Sequence, residues 1–178
     1  MARLPRLCIA GETHLLIQRG RADEPVLAEV SDCEAYLACL RAAWLAAGVA
    51  VHAFAVTPTQ IRLLATPSGD AALGTMLQAT GRRFVPAYNR RQGRRGPLWA
   101  GRFHGTVIEV DRLFVECLRF VETAPVQLGL VERAELWRVG EALGSSLNMA
   151  ALVQDVLLKR TSLETAVAAV KSPELRRL

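Results

Sequence analysis

Seven arginines, Arg82, Arg83, Arg90, Arg91, Arg94, Arg95 and Arg102, fall between Ala71 and Ile108, and no Asp or Glu interrupts that stretch. The chain carries 22 basic and 17 acidic residues, so setting the seven aside leaves 15 against 17. The formal charge of +5 is therefore a local patch rather than a diffuse bias. Guanidinium groups clustered in this way suit a polyanion, because each one placed against a phosphate releases condensed counterions. The plainer alternative is an arginine-rich usage, 20 Arg against 2 Lys, decorating a solvated loop. Usage alone would not exclude acids from so long a run, and nucleic acid is the favoured partner. Trp99 and Phe103 interleave aromatic faces with the charges, either as platforms for unpaired bases or as core anchors of the loop. Other chemistry finds little support. His14, His52 and His104 fall on three separate strands without metal-ligand spacing, which favours structural histidines. Tyr36 and Tyr88 are best read as helix residues beside apolar faces, and Ser145-Ser146 lacks the context of a nucleophile elbow. Cys8, Cys33, Cys39 and Cys117 fit no zinc or redox pattern and read as buried thiols.

These residues need a frame. A chain of 178 residues with 51% apolar content suits one packed domain with an appendage. The start of the chain has no signal-peptide pattern, and the longest apolar run, Trp44 to Val56, is broken by His52 short of a membrane span. A soluble protein of the cytoplasm, nucleoid-associated if bound to DNA and with no membrane partner, is expected. "HLLIQR" reads as a first strand, and Ser31-Asp32 as the cap of a helix with Cys33, Tyr36, Leu37, Leu40 and Trp44 inward, ending near Gly48. "VHAFAVTPTQIRLLATP" gives two strands around a turn at Thr57-Pro58-Thr59; apolar residues on both faces of the first predict a central strand. Ala71 to Tyr88 reads as a helix bent near Gly81, followed by an irregular loop, "NRRQGRRGPLWAGRF". Phe103 to Val110 gives a fourth strand, and Asp111 caps a helix running to about Ala124. The order β-α-β-β-α-β plus a helix predicts an α+β fold: a ferredoxin-like split βαβ sandwich, helices on one face of an antiparallel sheet. Residues 1–140 would form this domain. Residues 141–178 would form a C-terminal helical tail, with a capping box at Thr161 and Glu164 and a helix start at Ser172-Pro173. Leu152, Val156 and Leu157 there can pack on the domain, on a second copy as a homodimer, or on a protein partner.

The segments "MARLPRL", "QRG", "VHAFAVTP", "LLATPS", "LQATGRRFVPAYNRRQGRRGPLWAGRF" and "LRFVETAPVQLGLV" together resemble the REP-associated tyrosine transposases, within the single-tyrosine HUH transposase superfamily. The resemblance runs from residue 1 to about 138. It implies a ferredoxin-like core that binds DNA hairpins with single-stranded flanks and cleaves them with a tyrosine nucleophile and a divalent metal such as magnesium or manganese. In such proteins the metal pair is two histidines separated by one apolar residue, which strand geometry turns to the same face. The matching triplet here is Gln60-Ile61-Arg62. A fixed charge at Arg62, about 4 Å from a divalent ion, would be opposed by roughly 8 kcal/mol at an effective dielectric near 20. The family's nucleophile and a further polar ligand lie four residues apart on a helix, and those positions are Phe120 and Ala124, with no oxygen to attack and no ligand to offer. The resemblance therefore implies a degenerate member that has lost cleavage and holds no metal or other cofactor. The implied DNA contacts are Arg19, Arg82, Arg83, Asn89, Arg90, Arg91, Arg94, Arg95, Trp99 and Arg102. Arg62 is a further candidate, for a phosphate formerly held by metal. Two alternatives stay open: a protein-interaction module on a dead transposase fold, and a transposase with residual nicking by rearranged residues.

Overall fold

A computed structural model describes residues 7–21, 25–27 and 29–137. The expected tail at 141–178, with Ser145-Ser146, and the first six residues of the resemblance lie outside the described residues. Strand β1 (His14–Arg19) leads to helix α1 (Val30–Ala46), then to the hairpin of β2 (Val49–Val56) and β3 (Gln60–Pro67). Helix α2 (Ala72–Arg91), strand β4 (His104–Val107), helix α3 (Val110–Glu122), a short helix α4 (Ala124–Gln127) and a 3₁₀ turn at Ala134–Leu136 follow. The strands form one antiparallel sheet in the order β2-β3-β1-β4. With β3 between β1 and β2, this is the split βαβ arrangement of an α+β fold.

Two cores lie back to back across the sheet. On one face α1 and α2 bury Tyr36, Leu37, Leu40, Leu73, Met76 and Phe84 against Leu16, Val56, Ile61 and Leu63. On the other, α3 buries Phe114, Leu118 and Val121 against Ala53, Ala55 and Leu64. The expectation that the helices share one face is thus corrected. Helical periodicity tells which stripe of α3 is buried, not which side of the sheet receives it. The same covering explains β2. It is an edge strand, not a central one, and its two apolar faces are accounted for by α1 on one side and α3 on the other. Its alternation also slips at a bulge between Val51 and Ala53, so that His52, edge-on to Phe114 at 5.5 Å, and Ala53 both serve the α3 face.

Several boundaries move. Helix α1 starts one residue before Ser31, with Glu29 and Asp32 as a reciprocal capping box. It hands over to β2 through Gly48 at φ +65°, where a Cβ would stand 2.6 Å from Ser68 Oγ. Helix α2 runs unbroken through Gly81 and accommodates Pro86 on its exposed side, continuing to Arg91. The three residues Asn89, Arg90 and Arg91 are therefore helical, not loop. Helix α3 is capped at Glu109 rather than Asp111, and β4 is shorter than expected. Among the described residues no helix is long and apolar enough to cross a membrane.

Candidate nucleic-acid interface

The arginine segment divides into a helical part and a tied loop. On α2 the apolar residues Leu73, Met76, Leu77, Phe84 and Tyr88 face the core, which turns Arg82, Arg83 and Arg90 to solvent. The helix ends at two closely placed fastenings. Asn89 Nδ2 donates to the Gly96 carbonyl at 2.9 Å, while the Arg94 amide donates back to the Asn89 carbonyl at 2.8 Å. Gly93 and Gly96 take positive φ values of 62° and 90°, which suits this tight return of the chain. Beyond it, the Ala100 amide donates to the Arg19 carbonyl and the Arg21 amide to the Leu98 carbonyl, extending β1 pairing as a bridge between Gly20 and Trp99. Leu98 is buried in the main core. Trp99 packs edge-on against Tyr36 at 5.5 Å, and Tyr36 in turn donates its hydroxyl to Gln18. The loop is held at both ends, and Arg95 and Arg102 project from it into solvent, with Arg94 half-buried.

One arginine of the segment is ion-paired while half exposed. Arg91 makes an ion pair with Asp32, whose side chain is 0% exposed and whose second oxygen accepts the Glu29 amide. Among the described residues it is the one arginine of the seven with an ion pair. The sequence offered Asp32 only as a helix cap. That it also fastens the end of α2 to the start of α1 is long-range information that local pattern does not carry.

The four positions that the resemblance matched to a metal pair and a nucleophile lie on β3 (Gln60, Arg62), at the end of α3 (Phe120) and at the start of α4 (Ala124). Arg62 stands in register with Ile17 and Ala55, turned toward α3 and 7% exposed. Its Nη1 donates to the Phe120 carbonyl at 2.9 Å and to Gln127 Oε1 at 2.7 Å, and its Cζ lies 4.0 Å over the Phe120 ring. The Phe120 carbonyl is one of those the last turn of α3 leaves without a helical partner, so the guanidinium acts as a buried C-terminal cap with the favourable sign for the helix dipole. Gln127 is placed by its own bond to Thr123 Oγ1 at 2.8 Å. Nothing in the sequence pattern pointed to Gln127. Burial first, and then the like charge of Arg19, hold the Arg62 guanidinium below the ordinary arginine range, and its Nε is buried without a partner. Gln60 is buried at the start of β3, where its carbonyl accepts Thr57 Oγ1 at 2.7 Å to close the turn. Ala124 is fully buried in the second core. It opens α4 after a break at Thr123, so Phe120 and Ala124 do not share one continuous helix.

The histidines are apart. His14 is buried, its Nδ1 2.8 Å from the Glu12 carbonyl and its Nε2 accepting the Ile9 amide. His52 Nε2 lies 2.8 Å from Thr66 Oγ1, itself 2.9 Å from Thr13 Oγ1, and His104 is exposed on β4. Among the described residues no three His, Cys, Asp or Glu side chains are grouped to hold a metal ion.

Sheet order and helix placement define an α+β sandwich carrying a basic helix and loop. Comparison of the fold sharpens this. A solved structure of a REP-associated tyrosine transposase bound to a REP hairpin superposes with a TM-score of 0.62 at 16% identity, covering 78% of this chain and 81% of that one. A putative transposase from Deinococcus radiodurans gives a TM-score of 0.47 at 18% identity, over 68% of this chain and 97% of that one. No family model matches the chain, and the search of curated proteins finds no match. The fold is transposase-like, as the first of these structures shows.

Proposed function

We propose that this protein binds DNA, as a hairpin or single strand, through its arginine helix and loop, and no longer cuts it. The observation that carries the reading is the arrangement of Arg62 over Phe120. A guanidinium caps α3 at the place where the resemblance would put a metal pair beside a tyrosine oxygen. A cation there opposes a divalent ion, and a phenyl ring supplies no nucleophile. The exposed arginines Arg19, Arg82, Arg83, Arg90, Arg95 and Arg102 support the binding half of the reading, as does the hairpin held by the transposase of like fold. In this reading Asn89 shapes the loop and Trp99 anchors it, while Arg91 and Arg62 act chiefly by positioning their neighbours. The protein needs no cofactor for binding.

The test is fluorescence anisotropy of a labelled hairpin, an unpaired strand and a duplex across a salt series, with and without chelator. It is paired with an end-labelled cleavage assay in magnesium and in manganese. The expected result is binding that weakens steeply with salt, is indifferent to chelator, and leaves the label on full-length DNA. Metal-dependent scission would overturn the loss of chemistry, and feeble salt-independent association with all three would overturn DNA binding.

A further inference from the structure

The solvent face of α2 presents Gln78, Arg82, Arg83, Pro86 and Arg90, with no acid anywhere on the helix. From Arg82 to Arg90 the helical rise spreads the charges over about 12 Å in a fixed line. A duplex carries one negative charge per about 1.7 Å of axis, so this line can meet several phosphates without rearranging. Binding of unpaired bases has a different requirement, namely aromatic faces open for stacking among the charges. Here the aromatic residues turn away. Phe84 and Tyr88 are buried and stack on each other at 5.4 Å; Trp99 and Phe103 are half-buried and packed on the main core. The exposed ring of the segment, His104, stands on β4 and not on α2.

Resting on the reading that the protein binds DNA, we infer that the α2 face carrying Arg82, Arg83 and Arg90 docks on the phosphate backbone of a double-stranded stem, not on unpaired bases. Recognition along this face is by charge and shape, with little dependence on base sequence.

The measurement is anisotropy in chelator with three labelled oligonucleotides: a hairpin, a linear duplex of its stem sequence, and a strand unable to pair. Each is titrated across a salt series with the unaltered protein and with the triple variant Arg82→Ala, Arg83→Ala, Arg90→Ala. All three substitutions are on an exposed helix face and introduce the best helix former, and an unchanged circular dichroism melt checks the fold. The hairpin and linear duplex are expected to bind within about threefold of each other, and the triple variant to flatten the slope of log K against log salt on the duplex by about 2.7, three contacts at about 0.9 each. If the unpaired strand binds as tightly as the duplex, and the triple variant leaves the duplex slope unchanged, the docking assignment falls while DNA binding stands. If the unaltered protein shows no salt-dependent binding to any of the three, the underlying reading falls and takes this inference with it.

Discussion

Arg62 shows how a single side chain can hold two elements that the sequence does not visibly connect. Its planar head lies over the Phe120 ring and its Nη1 caps α3, yet its Nε has no partner and Arg19 adds a like charge. Arg62→Ala removes packing and cap together and is expected to destabilise by about 2–4 kcal/mol. Arg62→Met fills most of the volume and relieves the desolvated charge, so its effect should be about 1 kcal/mol or less. Midpoints of urea unfolding decide between them, and a Met variant as unstable as the Ala variant would show that the cap, not the packing, dominates. Cys33 supplies a prediction in pH. Burial, with the Asp32 and Glu34 carboxylates adding, pushes its thiol up from the ordinary 9.0 to about 12. The unfolded chain releases this proton near pH 9 while the folded chain keeps it, so the contribution is complete below pH 9 and is lost as pH rises toward 12. Tyr36, fully buried, is shifted in the same direction from 10.0. Unfolding free energy should therefore fall with pH in the alkaline range, and Cys33→Ala should flatten the fall. At pH 8 the native Cys33 should resist a thiol reagent until the protein unfolds.

At the scale of elements, Asp32 and Arg91 join two helices across 59 residues of sequence. The pair ties the first turn of α1 to the last turn of α2, immediately before the arginine loop departs. Arg91→Ala leaves a carboxylate with 0% side-chain exposure and only an amide for a partner, and is expected to destabilise by about 1–3 kcal/mol. The neighbouring Arg90→Ala should stay within about 0.5 kcal/mol, as an exposed substitution. Adding Asp32→Asn to Arg91→Ala removes the stranded charge and should recover part of the loss, which thermal or urea unfolding of the three variants will show. These elements also mark how far the sequence was legible. Strand β1, the turn at Thr57–Thr59 and the inward stripe of α1 were readable because each rests on local period and turn chemistry. The bulge at His52 was not, since with apolar residues on both sides of β2 a slip of one position changes nothing in composition. The side of the sheet taken by α3 was equally hidden. Of the candidate site, the arginine cluster could be read from charge alone. The Arg62 cap could not, because its partners Phe120 and Gln127 lie 58 and 65 residues away.

For the molecule as a whole, the sheet separates two kinds of work. The arginines of α2 belong to the helix layer on one face, whereas Arg62, Phe120 and Ala124 belong to the α3 layer on the other, and the two cores share no buried residue. Substitutions in distant layers without shared partners should add, within about 0.3–0.5 kcal/mol. A double-mutant cycle of Arg62→Met with Arg83→Ala, read in both unfolding free energy and hairpin affinity, is expected to close within that margin. Arg19 is the exception that makes the expectation informative. It ends β1, pairs in register with Gln60 on the Arg62 side, and gives its carbonyl to Ala100 in the arginine loop. Its like charge acts on Arg62, so Arg19→Ala relieves a repulsion that Arg62→Met relieves as well. The cycle of those two should fail to close, with the double variant more destabilised than the single changes add up to, because one repulsion cannot be removed twice. Additivity there would mean that Arg19 exerts no repulsion on Arg62, whereas strong coupling between Arg62 and Arg83 would mean that the sheet does not insulate the capped centre from the arginine-bearing helix.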